Sequence, residues 1–234
     1  MGKAAGVGEL KQIKENYRQM LIPSSIEQDS LLSDLIKIKP EKEMSDQAVV
    51  ELHQLYPFDL KKIDGYLSLM SADGSWTDIN YADTKRSGWE PKLHAERILE
   101  LSKLYYSKTT EYYHSEKVKE AIHLALKYWF DTKPRCLNWW YNQIAEPQKL
   151  GILLIQMRVG KRQIPEVLET KVLQRMRKDG GHPARWTGAN RTDIALHWIY
   201  RACLQKNDVD LKTAVENVYS PLSYTVKEGF HHDN

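Results

Sequence analysis

The chain has 234 residues, 41% of them hydrophobic and 28% charged, with a formal net charge of +3. These are ordinary values for a soluble globular protein, with room for one large domain or two small ones. The small net charge makes no case for nucleic acid, which needs a concentrated basic face, and leaves open a groove for an acidic substrate.

Helical patterning dominates from the start. Residues 9–21 put Leu10, Ile13, Tyr17 and Met20 or Leu21 on one stripe. Pro23 closes that helix. Ser25 can cap the next, which carries Ile26, Leu31, Leu32, Leu35 and Ile36, and residues 45–55 repeat the pattern. "SADGSWTDINYAD" (71–83) is dense in Gly, Asp and Ser and loses the apolar period, so it reads as an ordered loop. From residue 89 the predicted helices lengthen and pair: 88–108 with 115–134, 148–160 with 165–180, and 191–205 with 210–224. Short links between long helices make antiparallel neighbours, so these are three successive hairpins. The fold class expected is all-α, built of antiparallel hairpins forming part of an incomplete α/α toroid. We read 1–234 as a single domain, with leading helices over 1–70, an ordered loop over 71–88 and hairpins over 89–234.

Several absences narrow the chemistry. Cys136 and Cys203 form neither a disulfide framework nor a metal-ligand spacing. The eight histidines stand in no H-E-x-x-H or Cys/His arrangement, and there is no G-x-S-x-G, P-loop or G-x-G-x-x-G. His231-His232-Asp233 reads as an incidental pair in a terminal loop. No run approaches a membrane span in length. The opening "MGKAAGVGEL" lacks a basic segment followed by an apolar stretch, so no signal peptide is visible.

Two stretches stand out. The chain holds 13 Tyr and 7 Trp against 3 Phe, a bias that suits binding surfaces as well as cores. In "NWWYNQIAEPQKLG", Trp139 and Trp140 are adjacent, between Asn138 and Asn142, and Pro147 fits the first turn of a following helix. One reading buries the indoles in the interior. The other makes them a stacking platform for the apolar C–H faces of sugar rings, with the asparagines meeting hydroxyls. In "RWTGANRTDIALHW", Asn190 with Asp193 resembles a capping box. Asn190 at the mouth of a helix is also placed to bond a carboxylate, with Arg191 or Arg185 assisting.

"DGSWTDINY", "NWWYNQIAEPQKLGILLIQMR", "TGANRTDIALH" and "EGFHHDN" occur in order. Together they resemble the amino-terminal helical domain of polysaccharide lyase family eight, the family of chondroitin AC, hyaluronate and xanthan lyases. The resemblance implies cleavage of acidic glycans by β-elimination, which needs no redox or nucleotide cofactor and no metal. Asn190 would neutralise the uronate carboxylate. Asn138, Trp139, Trp140 and Asn142 would line the cleft, the two tryptophans forming one sugar-binding wall. The partner implied is an acidic polysaccharide such as chondroitin or hyaluronan, with neither nucleic acid nor membrane, and the location is periplasmic or extracellular. The family's catalytic histidine, tyrosine and arginine would fall beyond Asn234, as would the remaining toroid and its β-sandwich domains. The expectation is therefore a recognition fragment with little or no turnover alone and an exposed apolar flank. The competing class is a non-catalytic helical carbohydrate-binding or scaffold fragment.

Overall fold

The computed structural model describes residues 59–219, apart from Thr109 and Gly160. The helices expected over 9–21, 26–36 and 45–55, and the segment 228–234 with His231 and His232, lie outside the described residues. Within them are seven α-helices: α1 Leu60–Leu69, α2 Lys92–Tyr105, α3 Glu116–Thr132, α4 Glu146–Gln156, α5 Glu166–Asp179, α6 Gly188–Gln205 and α7 Asp208–Tyr219. One isolated bridge, Met70 with Trp76, is the whole of the extended pairing among the described residues. The three hairpins and the all-α class stand as expected.

Helix α1 follows from its residues although the sequence reading did not separate it. Asp59 accepts from Lys62 N at 3.1 Å, a side-chain N-cap. Ile63, Tyr66, Leu67 and Met70 fall at helical spacing against the core. Between α1 and α2 the loop is ordered, as expected, by polar bonds to its own backbone. Asp83 accepts from Lys85 N and Glu90 N, both at 2.9 Å. Arg97 of α2 grips Asp78 through two parallel bonds of 2.7 and 2.6 Å.

A buried relay ties this loop to the hairpins. Burial lowers the His94 pKa to about 3, so its imidazole is neutral. Because a carbonyl can only accept, Nε2–H must donate to Ala125 O at 2.8 Å. Nδ1 then accepts from the Tyr81 hydroxyl at 2.7 Å, and that oxygen accepts from Trp76 N at 3.0 Å.

The hairpins stack in two layers. Helices α2, α4 and α6 pack on one another in a row, and each is joined to an outer partner, α3, α5 or α7. The inner helices are the more buried; α4 buries nearly its whole length. Their close approach depends on Gly151, since a Cβ there would lie 2.6 Å from Cδ2 of Tyr200 on α6. Leu101, Leu104, Ile122, Leu126, Leu153 and Leu154 fill the space between layers. Buried charges are paired across it: Arg201 with Asp210 at 2.8 Å, and Arg158 with Glu169. This alternation brings the connections into α2, α4 and α6 to the same end of the array. No helix among the described residues is long and apolar enough to cross a membrane.

Candidate functional site

Three connections meet at that end: 83–91, 133–145 and 180–187. The first two are knitted together. Leu137 N donates to Thr84 O at 2.9 Å, the Cys136 thiol to Lys85 O at 3.0 Å, and the Asn138 amide to Arg86 O at 3.4 Å. Burial raises the Cys136 pKa, which keeps it a thiol and a donor.

Asn138 and Asn142 both build the loop. Asn138 Oδ1 accepts from Trp140 N at 3.1 Å and so starts the helical turn that follows. Asn142 accepts from Cys136 N at 3.1 Å and donates to Cys136 O at 2.7 Å and Asn138 O at 3.4 Å. Its amide is spent on local backbone, leaving one acceptor lone pair, so it positions the turn more than it presents donors to a ligand. The next residues, Tyr141–Ala145, form a turn of π-helix running directly into α4, a local widening often found at functional sites.

The two tryptophans separate. Side chains of adjacent helical residues point roughly 100° apart, and each indole here finds a different ring. Trp139 is half-buried and stacks on Trp186, with centroids 4.0 Å apart and planes 19° apart. Behind it lie Ile144, Ile194, Ala195 and Trp198. Trp140 is 38% exposed and meets Tyr141 edge-on at 5.3 Å. They are therefore two separate aromatic clusters and not the one continuous wall expected. Trp186, within the quoted R-W-T-G-A-N stretch but not singled out there, completes the first.

The third connection is shaped by close backbone contacts. His197 is buried and neutral, its pKa lowered to about 4 by desolvation, and its Nε2–H donates to Gly180 O at 2.8 Å. The Trp198 indole donates to Gly181 O at 3.1 Å. After a short 3-10 turn, Pro183–Arg185, Gly188 takes φ +54° and α6 begins there. That left-handed residue starts the helix earlier than the sequence suggested, placing Asn190 at its third position. The capping-box expectation is thereby corrected. Thr187 occupies the N-cap and makes no side-chain cap bond. The half-buried Asn190 amide has no hydrogen-bond partner among the described residues. Arg191 is partly committed, its Nε donating to Asn217 Oδ1 at 2.9 Å.

An open groove of about 310 Å³ runs beside this end, lined by Gln143, Lys178, Asp179, His182, Arg185 and Trp186. Gln143, His182 and Trp186 are the participants that sequence reasoning missed. Beneath the π-turn, Glu146 is buried and its pKa is raised to about 7 by desolvation, against the pull of Lys149, whose Nζ lies 3.3 Å away. No group of three or more potential metal ligands occurs among the described residues. Chemically, this end offers aromatic faces, an unengaged amide, open N–H groups at the start of α6, and cations.

Comparison with known proteins agrees with the all-helical fold. Residues 42–234 match the model of "Polysaccharide lyase family 8, N terminal alpha-helical domain". Chondroitinase-AC of Pedobacter heparinus is 40% identical over 168 residues, covering 71% of this chain and 24% of that protein. A chondroitinase AC lyase solved in oligosaccharide complexes superposes with a TM-score of 0.71 at 39% identity, over 76% of this chain and 26% of that one. Xanthan lyase from Paenibacillus has the same fold, TM-score 0.71 at 15% identity, over 97% of this chain and 20% of the other. The chain thus spans about a quarter of the length of the chondroitinases it matches. Helix hairpins, the structural match and a family match over most of the sequence converge: the chain belongs to polysaccharide lyase family 8 and carries its N-terminal α-helical domain.

Proposed function

We propose that this end of the array binds an acidic, uronate-containing polysaccharide of the chondroitin or hyaluronan type. In the whole protein it would serve cleavage of that polymer by β-elimination, outside the cytoplasm. The observation that carries the reading is the unengaged Asn190 amide on the first turn of α6, close in sequence to the Trp139–Trp186 stack. Indole faces suit the C–H faces of sugar rings. The amide and the free N–H groups at a helix start suit a carboxylate.

The chemistry explains why such a donor matters. A proton at C5 of a uronate is weakly acidic while the adjacent carboxylate is charged. Hydrogen bonds to that carboxylate offset its charge and stabilise the enolate-like character that develops as the proton leaves. Asn190 fills that role in this proposal. Trp139, Trp140 and Trp186 hold the rings, Arg185 and Arg191 add positive charge, and Asn138 and Asn142 fix the turn that aims the indoles. No redox or nucleotide group enters.

A second reading, a helical scaffold whose tryptophans only pack, draws support from Trp139 lying on the Trp198 cluster. The experiment that separates them is calorimetric titration with a uronate oligosaccharide and its methyl ester. If the proposal holds, the acid binds better than the ester, and Asn190→Ala narrows that gap without lowering the melting temperature. Equal binding of acid and ester, unaffected by Asn190→Ala, would favour the scaffold.

A further inference from the structure

A second groove, of about 360 Å³, lies between the C-terminal ends of α3 and α5. Its charged lining is Lys133, Arg135, Lys171, Arg175 and Lys178 against the single carboxylate of Asp179. Arg135 and Arg175 are occupied with structure. Arg135 pairs with Asp179 at 2.8 Å, while Arg175 lies 3.5 Å from the same carboxylate and donates to Trp129 O at 2.9 Å. The three lysines have no carboxylate partner among the described residues. Lys171 sits over the Phe130 ring at 5.7 Å.

Helix dipoles account for part of this charge, because cations are favoured at helix C-termini. Yet Arg175 already bonds the last turn of α3, and Lys171 lies well before the last turn of α5, which holds Arg177 and Lys178. Lys171, Arg175 and Lys178 share one helix face at spacings of four and three, where like charges repel. The clustering costs stability, so a polyanion that neutralises it would recover that cost. Lys178 and Asp179 also line the groove that holds Trp186, Arg185 and His182, so the two grooves meet at the end of α5.

We propose that the α3–α5 groove is a cationic extension of the sugar site, holding flanking anionic sugars of the polysaccharide whose reacting part lies at Trp139, Trp140 and Asn190. The inference rests on the proposed function. Lysines are compact point charges without the fork geometry of arginine. The extension therefore reads charge density and not pattern, and favours a sulfated chain over one carrying carboxylates alone.

The test is titration of the 234-residue chain with chondroitin sulfate tetrasaccharide and dodecasaccharide, a hyaluronan dodecasaccharide, and a single-stranded oligonucleotide of matched charge. The variants are Lys133→Gln/Lys171→Gln, both at exposed positions outside the groove of Trp186, and Trp140→Ala. The double variant should bind the sulfated dodecasaccharide several-fold more weakly at low salt, keep its tetrasaccharide affinity, and match wild type at high salt. The hyaluronan dodecasaccharide should lie between the two chondroitin lengths. Unchanged dodecasaccharide affinity in the double variant overturns the extension. So does an oligonucleotide that binds as tightly as the dodecasaccharide. If only the longer chains bind, weaken in the double variant and are unaffected by Trp140→Ala, the α3–α5 groove holds anionic sugars by itself and the sugar site fails. Absence of binding at both lengths overturns both.

Discussion

Two tryptophan-rich regions lie close together in this chain and treat the same side chain differently. Around the loop before α2, Trp76 and Trp89 are buried, and each indole N–H donates to a backbone carbonyl at 2.8 Å, of Tyr66 and Asp83 respectively. At the end of the array, Trp139, Trp140 and Trp186 are half-buried or exposed, and no hydrogen bond engages their indole N–H groups among the described residues. The first group behaves as buried tryptophan must, trading water for a fixed acceptor. The second leaves its indole N–H groups unbonded among the described residues, while Trp139 and Trp186 cover one ring face of each other. Partner bonds, more than residue type, separate core from platform. Trp89 also shows how the regions connect: its ring lies 5.5 Å from that of Tyr141, in the π-turn beneath the platforms.

The comparison breaks most sharply on stability. Trp89→Ala should cost about 3–5 kcal/mol in chemical denaturation, the range for truncating a buried large aromatic. Trp140→Ala should stay within about 0.5 kcal/mol of wild type, as exposed positions do. Equal losses would mean that Trp140 is core.

The second expectation concerns the base on which the platforms rest. The Glu146 pKa is raised to about 7 in the folded chain, from an ordinary 4.5. A raised carboxyl favours the folded state fully below the ordinary value, and that contribution is lost as pH rises through the folded one. A shift of this size corresponds to roughly 3 kcal/mol. Glu146→Gln should therefore gain on wild type between about pH 4.5 and 8, by up to that amount, in denaturation curves across the range. A constant difference between the two proteins would contradict it.

A smaller effect separates the two asparagines. Asn142→Ala removes three bonds to half-buried backbone and should cost about 2 kcal/mol. Asn190→Ala, at a helical position with no side-chain bond, should be neutral or slightly stabilising by thermal melting. Smallest is Gly188→Ala. A Cβ at φ +54° costs about 1–2 kcal/mol, and the melting temperature should fall accordingly.

The long hairpins were legible in the sequence because helical periodicity is a local signal, and each runs for several turns. Helix α1 escaped because it is short, with Lys61, Lys62 and Gly65 diluting its stripe. The site was half legible. Trp139, Trp140 and Asn190 drew notice as unusual residues, but their surroundings depend on distant chain. Trp186 meets Trp139 only once α6 is packed on α4. The structural work of Asn142 depends on the π-turn that folds it back on Cys136. From sequence Asn190 suits a cap as well as a carboxylate contact, because sequence does not reveal that Gly188 adopts a left-handed conformation and starts the helix earlier. Arg191, expected to serve a ligand, shares its guanidinium with Asn217 on α7.

The central claim is that the second region is a sugar platform. Its most direct measurement is calorimetric titration of chondroitin sulfate tetrasaccharide into the 234-residue chain and into Trp140→Ala, with thermal melts of both. The account predicts coincident melts and a loss of binding on the order of 1–3 kcal/mol, the range known for bases stacked on aromatic side chains. Unchanged affinity in a variant that melts with the wild type would contradict it.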